Sequence, residues 1–290
     1  MLTAMKRRSY IVLAIIVVLL VGAFFARHWA YDWWYELNRP KLPPAVTYAD
    51  ENANGTDQVL PAAPSPVEGG LSVSENYMLE SSPQTQKAAD VDPLTKEIKI
   101  PNSINLAVPW MSQAPHANWD MPYQEACEEA SMLMVDGFYE ARTKFTPDEA
   151  DAAILKLVAY ENKVRGDYKD TDAEETAKIM RDYFGYKDVK VLSFKTADDI
   201  KNIVGRGFPV MIPFSGKDLK NPNFRNGGPL YHMLVIKGFT DDGLFITGDP
   251  GTRKGEDYTY TLERIVDAAH DWNGGDVANG AKLMILVMPN

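Results

Sequence analysis

An unbroken apolar run over residues 10–26, directly after Lys6, Arg7 and Arg8, removes the most freedom from this chain. As a helix, about 17 apolar residues reach the lower limit for crossing a ~30 Å hydrocarbon core. A cleaved signal peptide, cut after Ala23, is the competing reading. The residues that follow favour an anchor. Trp29, Tyr31, Trp33, Trp34 and Tyr35 form the aromatic cluster expected at a headgroup interface. Cations cluster before the run, and only Arg27 follows it directly, so the N-terminus is expected to stay cytoplasmic.

Organisation follows from that start. Residues 1–9 read as a cytoplasmic N-terminus, 10–26 as a transmembrane signal-anchor and 27–39 as an interfacial aromatic segment. Over 40–97, Pro40, Pro43, Pro44, Pro61, Pro64 and Pro66 break any periodicity among Asn, Ser, Gln and Glu. Such a stretch buries too little apolar surface to offset its ordering entropy, so a disordered linker is expected. The working domain is expected over 98–290, outside the cytoplasm.

Composition closes several function classes. Lys+Arg 30 against Asp+Glu 40 gives a net charge of -10. Phosphate neutralisation needs clustered cations, so nucleic acid is not an expected partner. A single cysteine excludes an intrachain disulfide and a cysteine-rich zinc site. Neither glycine-rich nucleotide signature occurs, so no nucleotide is expected, and chemistry carried by a cysteine thiol would need no metal or other cofactor.

Within the working domain, 106–110 reads as a strand or extended lead-in. Cys127, Ala130, Leu133, Met134, Phe138 and Ala141 recur at helical spacing. Thr146-Pro147-Asp148-Glu149 is a capping box that opens a helix to about Asn162. Further helices are predicted over 173–184, 196–204 and 261–272. Strands are predicted over 189–194, 209–214, 233–236, 244–247 and 283–288. Helices come early and strands late, which predicts an α+β class with an antiparallel sheet.

The chemistry starts from Cys127, placed at the start of its helix. Free N–H groups and the helix dipole lower a thiol pKa there. A buried small hydrophobe is the commoner fate of a lone cysteine. Glu128 and Glu129 act against a thiolate, so a cationic partner must outweigh them. Of His28, His116, His232 and His270, hairpin arithmetic raises His232. A four-residue loop over 239–242 makes Gly238 face Gly243, Ile236 face Phe245, Leu234 face Thr247 and His232 face Asp249. Asp249 would then orient the His232 ring. A nucleophile with an oriented base is the minimum set for covalent catalysis. Gln113 and Gln124 both precede the cysteine, and either amide could join the Cys127 N–H as an oxyanion donor.

Four motifs in order carry a resemblance. Val108-Pro109-Trp110-Met111-Ser112-Gln113 with Asn118-Trp119, the run Ala126-Cys127-Glu128-Glu129-Ala130-Ser131, the strand from Tyr231-His232 to Phe239, and Gly248-Asp249-Pro250-Gly251 are similar to the bacteriocin leader-processing cysteine peptidases. The similarity is to the stand-alone, papain-like branch and covers about 104–288. It departs at Cys127-Glu128, where the usual pair is Cys-Gly, and the transporter members' membrane and ATPase domains are missing. The resemblance implies a papain-like fold, with helices bearing the cysteine and a sheet bearing the histidine and aspartate. It implies Cys127 as nucleophile, His232 as general base and acid, Asp249 as orienting group and Gln113 as oxyanion residue, with Gln124 the fallback. The function expected is a membrane-anchored extracytoplasmic peptidase acting on a peptide or protein. A cell-wall amidase or transpeptidase with the same groups, or a catalytically silent surface binding module, are the alternatives.

Overall fold

The computed structural model describes residues 2–48, 94 and 97–289. They form two units, 1–42 and 43–290, described in turn.

The first unit is one helix, α1 (Leu2–Leu37). The stretch Ile15–Leu37 is long and apolar enough to cross a bilayer, and none of it is buried by protein. The aromatic residues expected to form a separate interfacial segment continue the same helix.

The second unit begins earlier than the sequence suggests. The expected linker over 40–97 lies mostly outside the described residues, but 43–48 is described and is packed. Val46 N–H donates to Asn105 O, and Ala107 N–H donates to Val46 O, both at 2.8 Å. Asn105 Nδ2 donates to Pro43 O at 3.2 Å. Tyr48 is buried edge-on between Phe138 and Tyr139, at 5.8 and 5.3 Å between ring centroids. Composition predicted disorder here, but one aromatic ring and a short ladder suffice to hold six residues.

The sheet is antiparallel. Its strands are β1 (Ile104–Asn105), β2 (Asp188–Ser193), β3 (Val210–Ser215), β4 (Tyr231–Phe239), β5 (Leu244–Gly248), β6 (Glu256–Thr261) and β7 (Leu283–Met288). Their order is β2-β7-β3-β4-β5-β6, and β1 also pairs with β4. Every residue of β4 is buried, which fits its near-continuous apolar sequence. Strand β6 went unassigned in the sequence, and its Thr261 was read into the helix that follows. That helix is shorter than the expected 261–272 and spans only Leu262–Ala268.

Helix α2 (Cys127–Tyr139) is buried almost all round and lies against β4. Ser131 Oγ donates to Met233 O, and the Tyr139 hydroxyl donates to Val287 O. Helices α3 (Pro147–Val164), α4 (Ala173–Asp182) and α5 (Ala197–Val204) each open with a reciprocal capping box, from Thr146, Asp172 and Thr196. The arrangement is α+β, with the cysteine on a central helix and the histidine on the strand beneath it.

The β4–β5 register differs from the expected one. Ile236 faces Thr247 and Val235 faces Gly248, a displacement of two residues. A bulge at Lys237 shifts the register again, so that Gly238 faces Ile246. The displacement starts at the tip, where Thr240 N–H bonds Leu244 O and only 241–243 turn the chain. The bulge lies where β1 packs: Leu106 N–H bonds Lys237 O, and a Cβ on Gly238 would sit 2.3 Å from Ile104 O. An even slip keeps each side chain on its face. Asp249 therefore lies diagonal to His232, a separation polar side chains can span.

Candidate active site

Asp249 follows directly on β5, and His232 is the second residue of β4. The ring Nε2 lies 2.9 Å from Asp249 Oδ1, with both residues buried. A carboxylate can only accept, so Nε2 carries the proton and Nδ1 is left as the basic nitrogen. The histidine–aspartate pair named from sequence is thus brought together, though not by the register argued for it.

Asp249 is held by more than the histidine. Its Oδ1 also accepts from Gly251 N–H at 2.9 Å. Its Oδ2 accepts from the Tyr260 hydroxyl at 2.7 Å and from Asn221 Nδ2 at 3.3 Å. Asn221 Nδ2 also donates to the Tyr260 oxygen at 2.8 Å. Four donors thus fix the position of this side chain. Burial and the neighbouring Asp249 charge in turn hold the Tyr260 phenol well above its ordinary pKa, so it stays a donor. The Phe224 ring meets His232 edge-on at 5.2 Å, and a Cβ on Gly251 would touch the ring's Cε1 at 2.7 Å.

Neither Asn221, Tyr260 nor Phe224 was singled out from sequence. Tyr258-Thr259-Tyr260-Thr261 does carry the alternation of aromatic and β-branched residues that marks a strand. Asn221 and Phe224 sit in an irregular loop and carry no comparable signal.

Cys127 is the first residue of α2, and Ala126 before it offers no side-chain cap. The first N–H groups of the helix therefore point out beside the sulfur. Of the two opposed influences read from sequence, the helix N-terminus and the acidic neighbours, the second prevails in the resting structure. Burial pushes the Cys127 thiol well up, Glu128's charge and hydrogen bond push it further, and the Met233 backbone N–H works the other way. Sγ donates to Glu128 Oε2 at 2.9 Å. The helix dipole is outweighed by desolvation and by an acidic neighbour. The contact with Met233 places the sulfur beside the stretch of β4 that carries His232.

Gln113 is joined to the same turn as Asp249. Its N–H donates to Pro250 O at 3.0 Å, and Trp110 Nε1 donates to Asp249 O at 2.9 Å. The Gln113 side chain is buried, and Nε2 gives one hydrogen to Tyr123 O at 2.9 Å. An amide nitrogen has two hydrogens, so one remains. Gln124 is exposed and turns to Glu125 Oε1, which makes it the poorer oxyanion donor. His116 meets Asp148 at the surface, and His270 Nδ1 meets Gly280 O, so neither joins the site. The side chain of His28 lies outside the described residues.

Comparison with known proteins gives the family. A family model described as the C39-like peptidase family matches residues 105–274. No curated protein matches the sequence. Among solved structures, a protein described as a C39-like peptidase from Bacillus anthracis aligns at 17% identity and TM-score 0.44, over 65% of this chain and 98% of its own. A fragment of prointerpain A from Prevotella intermedia aligns at 15% identity and TM-score 0.31, over 49% of this chain and 43% of its own.

Proposed function

The chain belongs to the C39-like peptidase family and is a cysteine-type peptidase; from that premise we propose that it cleaves peptide bonds through Cys127, His232 and Asp249 while anchored to a membrane by α1. The observation that carries the triad is the buried 2.9 Å contact between His232 Nε2 and Asp249 Oδ1, on the strand that packs under the cysteine helix.

Each step follows from a named atom. Asp249 accepts from Nε2–H and fixes the ring, and Nδ1 takes the thiol proton. The sulfur anion attacks the substrate carbonyl. The developing oxyanion is met by the Cys127 N–H and the second hydrogen of Gln113 Nε2. Nδ1–H then protonates the leaving amine, and water resolves the acyl-enzyme. The peptidase domain is proposed over 98–290 with 43–48 packed on it. The N-terminus is proposed to face the cytoplasm, because Lys6, Arg7 and Arg8 precede the span, which leaves the domain outside.

Full-length protein in detergent, offered a library of unstructured peptides, tests the reading. Wild type is expected to cleave and Cys127→Ala is expected to be inert. Asp249→Asn should cleave slowly with its thiol still alkylated. Equal cleavage by wild type and Cys127→Ala would overturn the assignment. Protease added outside intact cells should digest the domain and spare the N-terminus; the reverse pattern would overturn the topology.

A further inference from the structure

The residue after the nucleophile has no place in the mechanism above. Glu128 is 1% exposed, and its Oε2 is the atom that the Cys127 sulfur meets at 2.9 Å. Its other oxygen, Oε1, is buried with no partner. Behind it lie two more buried carboxyl groups. Both oxygens of Glu129 and one of Glu161 are likewise unpartnered. The cation among them is Arg165, at 3.5 Å from Glu161 and 2.9 Å from half-buried Glu175.

One guanidinium cannot compensate three buried anions. An isolated buried carboxylate loses several kcal/mol of solvation, so such a group binds a proton instead. Burial pushes Glu128 up most; the Cys127 hydrogen bond and Glu128's own backbone N–H work the other way, and the charged neighbours that face it push up again. Glu129 and Cys127 lie on its own helix and Glu125 in the turn before it. Asp170 and Tyr168 come from the loop leading to α4, Glu161 from α3 and Tyr231 from β4.

We propose that Glu128 works as a neutral acid: it accepts the thiol hydrogen at rest, then rotates its own O–H onto the sulfur anion once His232 has taken the thiol proton. The inference rests on Cys127 and His232 acting as proposed above. A protonated carboxyl is both donor and acceptor, so no atom need move far between the two states. Ionised, the same group can only repel the thiolate. Burial lifts Glu128 to about 8, so the site carries its own alkaline cut-off.

Iodoacetamide alkylation of Cys127 in the full-length protein reads this directly and needs no substrate. Glu128→Gln keeps a donor and cannot ionise, whereas Glu128→Leu has neither property. At about pH 6 the Gln variant should react within about threefold of wild type, and near pH 9 it should be about tenfold faster, one decade per pKa unit of relieved repulsion. The Leu variant should be about tenfold slower than the Gln variant at about pH 6, the loss of a hydrogen bond to a charged group. Peptide cleavage should follow the same ordering. Identical pH profiles for wild type and Glu128→Gln, or identical rates for the Gln and Leu variants at about pH 6, would overturn the proposal. A His232→Ala variant alkylated as fast as wild type would instead overturn the pair on which it rests.

Discussion

Gly251→Ala gives the sharpest test of how tightly the histidine is placed. The new Cβ would stand 2.7 Å from His232 Cε1 and 3.1 Å from Nε2, with Phe224 at 3.2 Å behind it. Carbon pairs rest at roughly 3.5–4.0 Å, so about 1 Å must be found. The ring is sealed by Phe224 on one side and is 1% exposed, which leaves it little room. The alternative is retreat of the turn, but Gly251 N–H is bonded to Asp249 Oδ1, so the carboxylate retreats with it. Either route stretches the 2.9 Å contact past hydrogen-bonding length. Misplacement by about 1 Å costs roughly a hundredfold in rate, or ~2.7 kcal/mol of transition-state stabilisation. Overpacking should cost about 1–3 kcal/mol of stability as well. The assay is kcat/KM for a cleaved peptide, with the alkylation rate at about pH 6 measured alongside. Gly243→Ala is the control. Its positive φ makes alanine costly there, yet nothing lies within 4 Å and the hairpin tip is remote from the ring. It should lose stability and keep its rate. A folded Gly251→Ala protein with kcat/KM within about threefold of wild type would refute the argument that this ring position governs the chemistry.

Three other perturbations read separate parts of the structure. Tyr260→Phe removes the 2.7 Å donor to Asp249 Oδ2 and should lower kcat/KM about 10–100-fold with little change in melting temperature, which thermal unfolding beside kinetics would check. Tyr48→Ala leaves a gap between Phe138 and Tyr139 and should cost about 3 kcal/mol, lowering Tm by about 6–12 °C in a calorimetric scan. Glu128 and Glu161 are both raised to about 8 from 4.5 by burial. Their folded state binds protons that the unfolded chain has released, so that stabilisation is complete below about pH 4.5 and is lost as pH rises through about 8. Denaturant midpoints should therefore fall between about pH 6 and 9, and a midpoint that rises over that window would contradict the buried-acid assignment.

What the sequence made legible was local. The Thr146 capping box is a contact between residues three apart, and it appears as read. Helical spacing from Cys127 to Phe138 found α2, because one face repeats within a single element. Three of the motif segments meet: Trp110 and Gln113 bond across to the Asp249–Pro250 turn, and His232 bonds Asp249. One failure was local and one long-range. The hairpin register was misread at its tip, where Thr240 N–H bonds Leu244 O and three residues turn the chain where four were assumed. The acidic pull of Glu128 on the thiol was legible, but the larger effect of burial was not, because burial is set by the whole fold and not by the first turn of a helix. Strand β6 was passed over although its alternation was visible, and the Tyr260 support for Asp249 was passed over with it.

The segment 43–48 also decides what a cut chain would become. Cleavage between 49 and 97 leaves the peptidase fold joined to the N-terminal piece by contacts that include two backbone bonds around Val46, the Asn105–Pro43 bond and the Tyr48 ring. Those contacts sum to about 4–5 kcal/mol, equivalent to a dissociation constant of roughly a millimolar or somewhat below. At cellular concentrations two such fragments drift apart. With α1 as the anchor proposed above, a single proteolytic nick would turn a tethered enzyme into a diffusing one, and would strip Leu106 and the Phe138–Tyr139 pair of their cover as it did so.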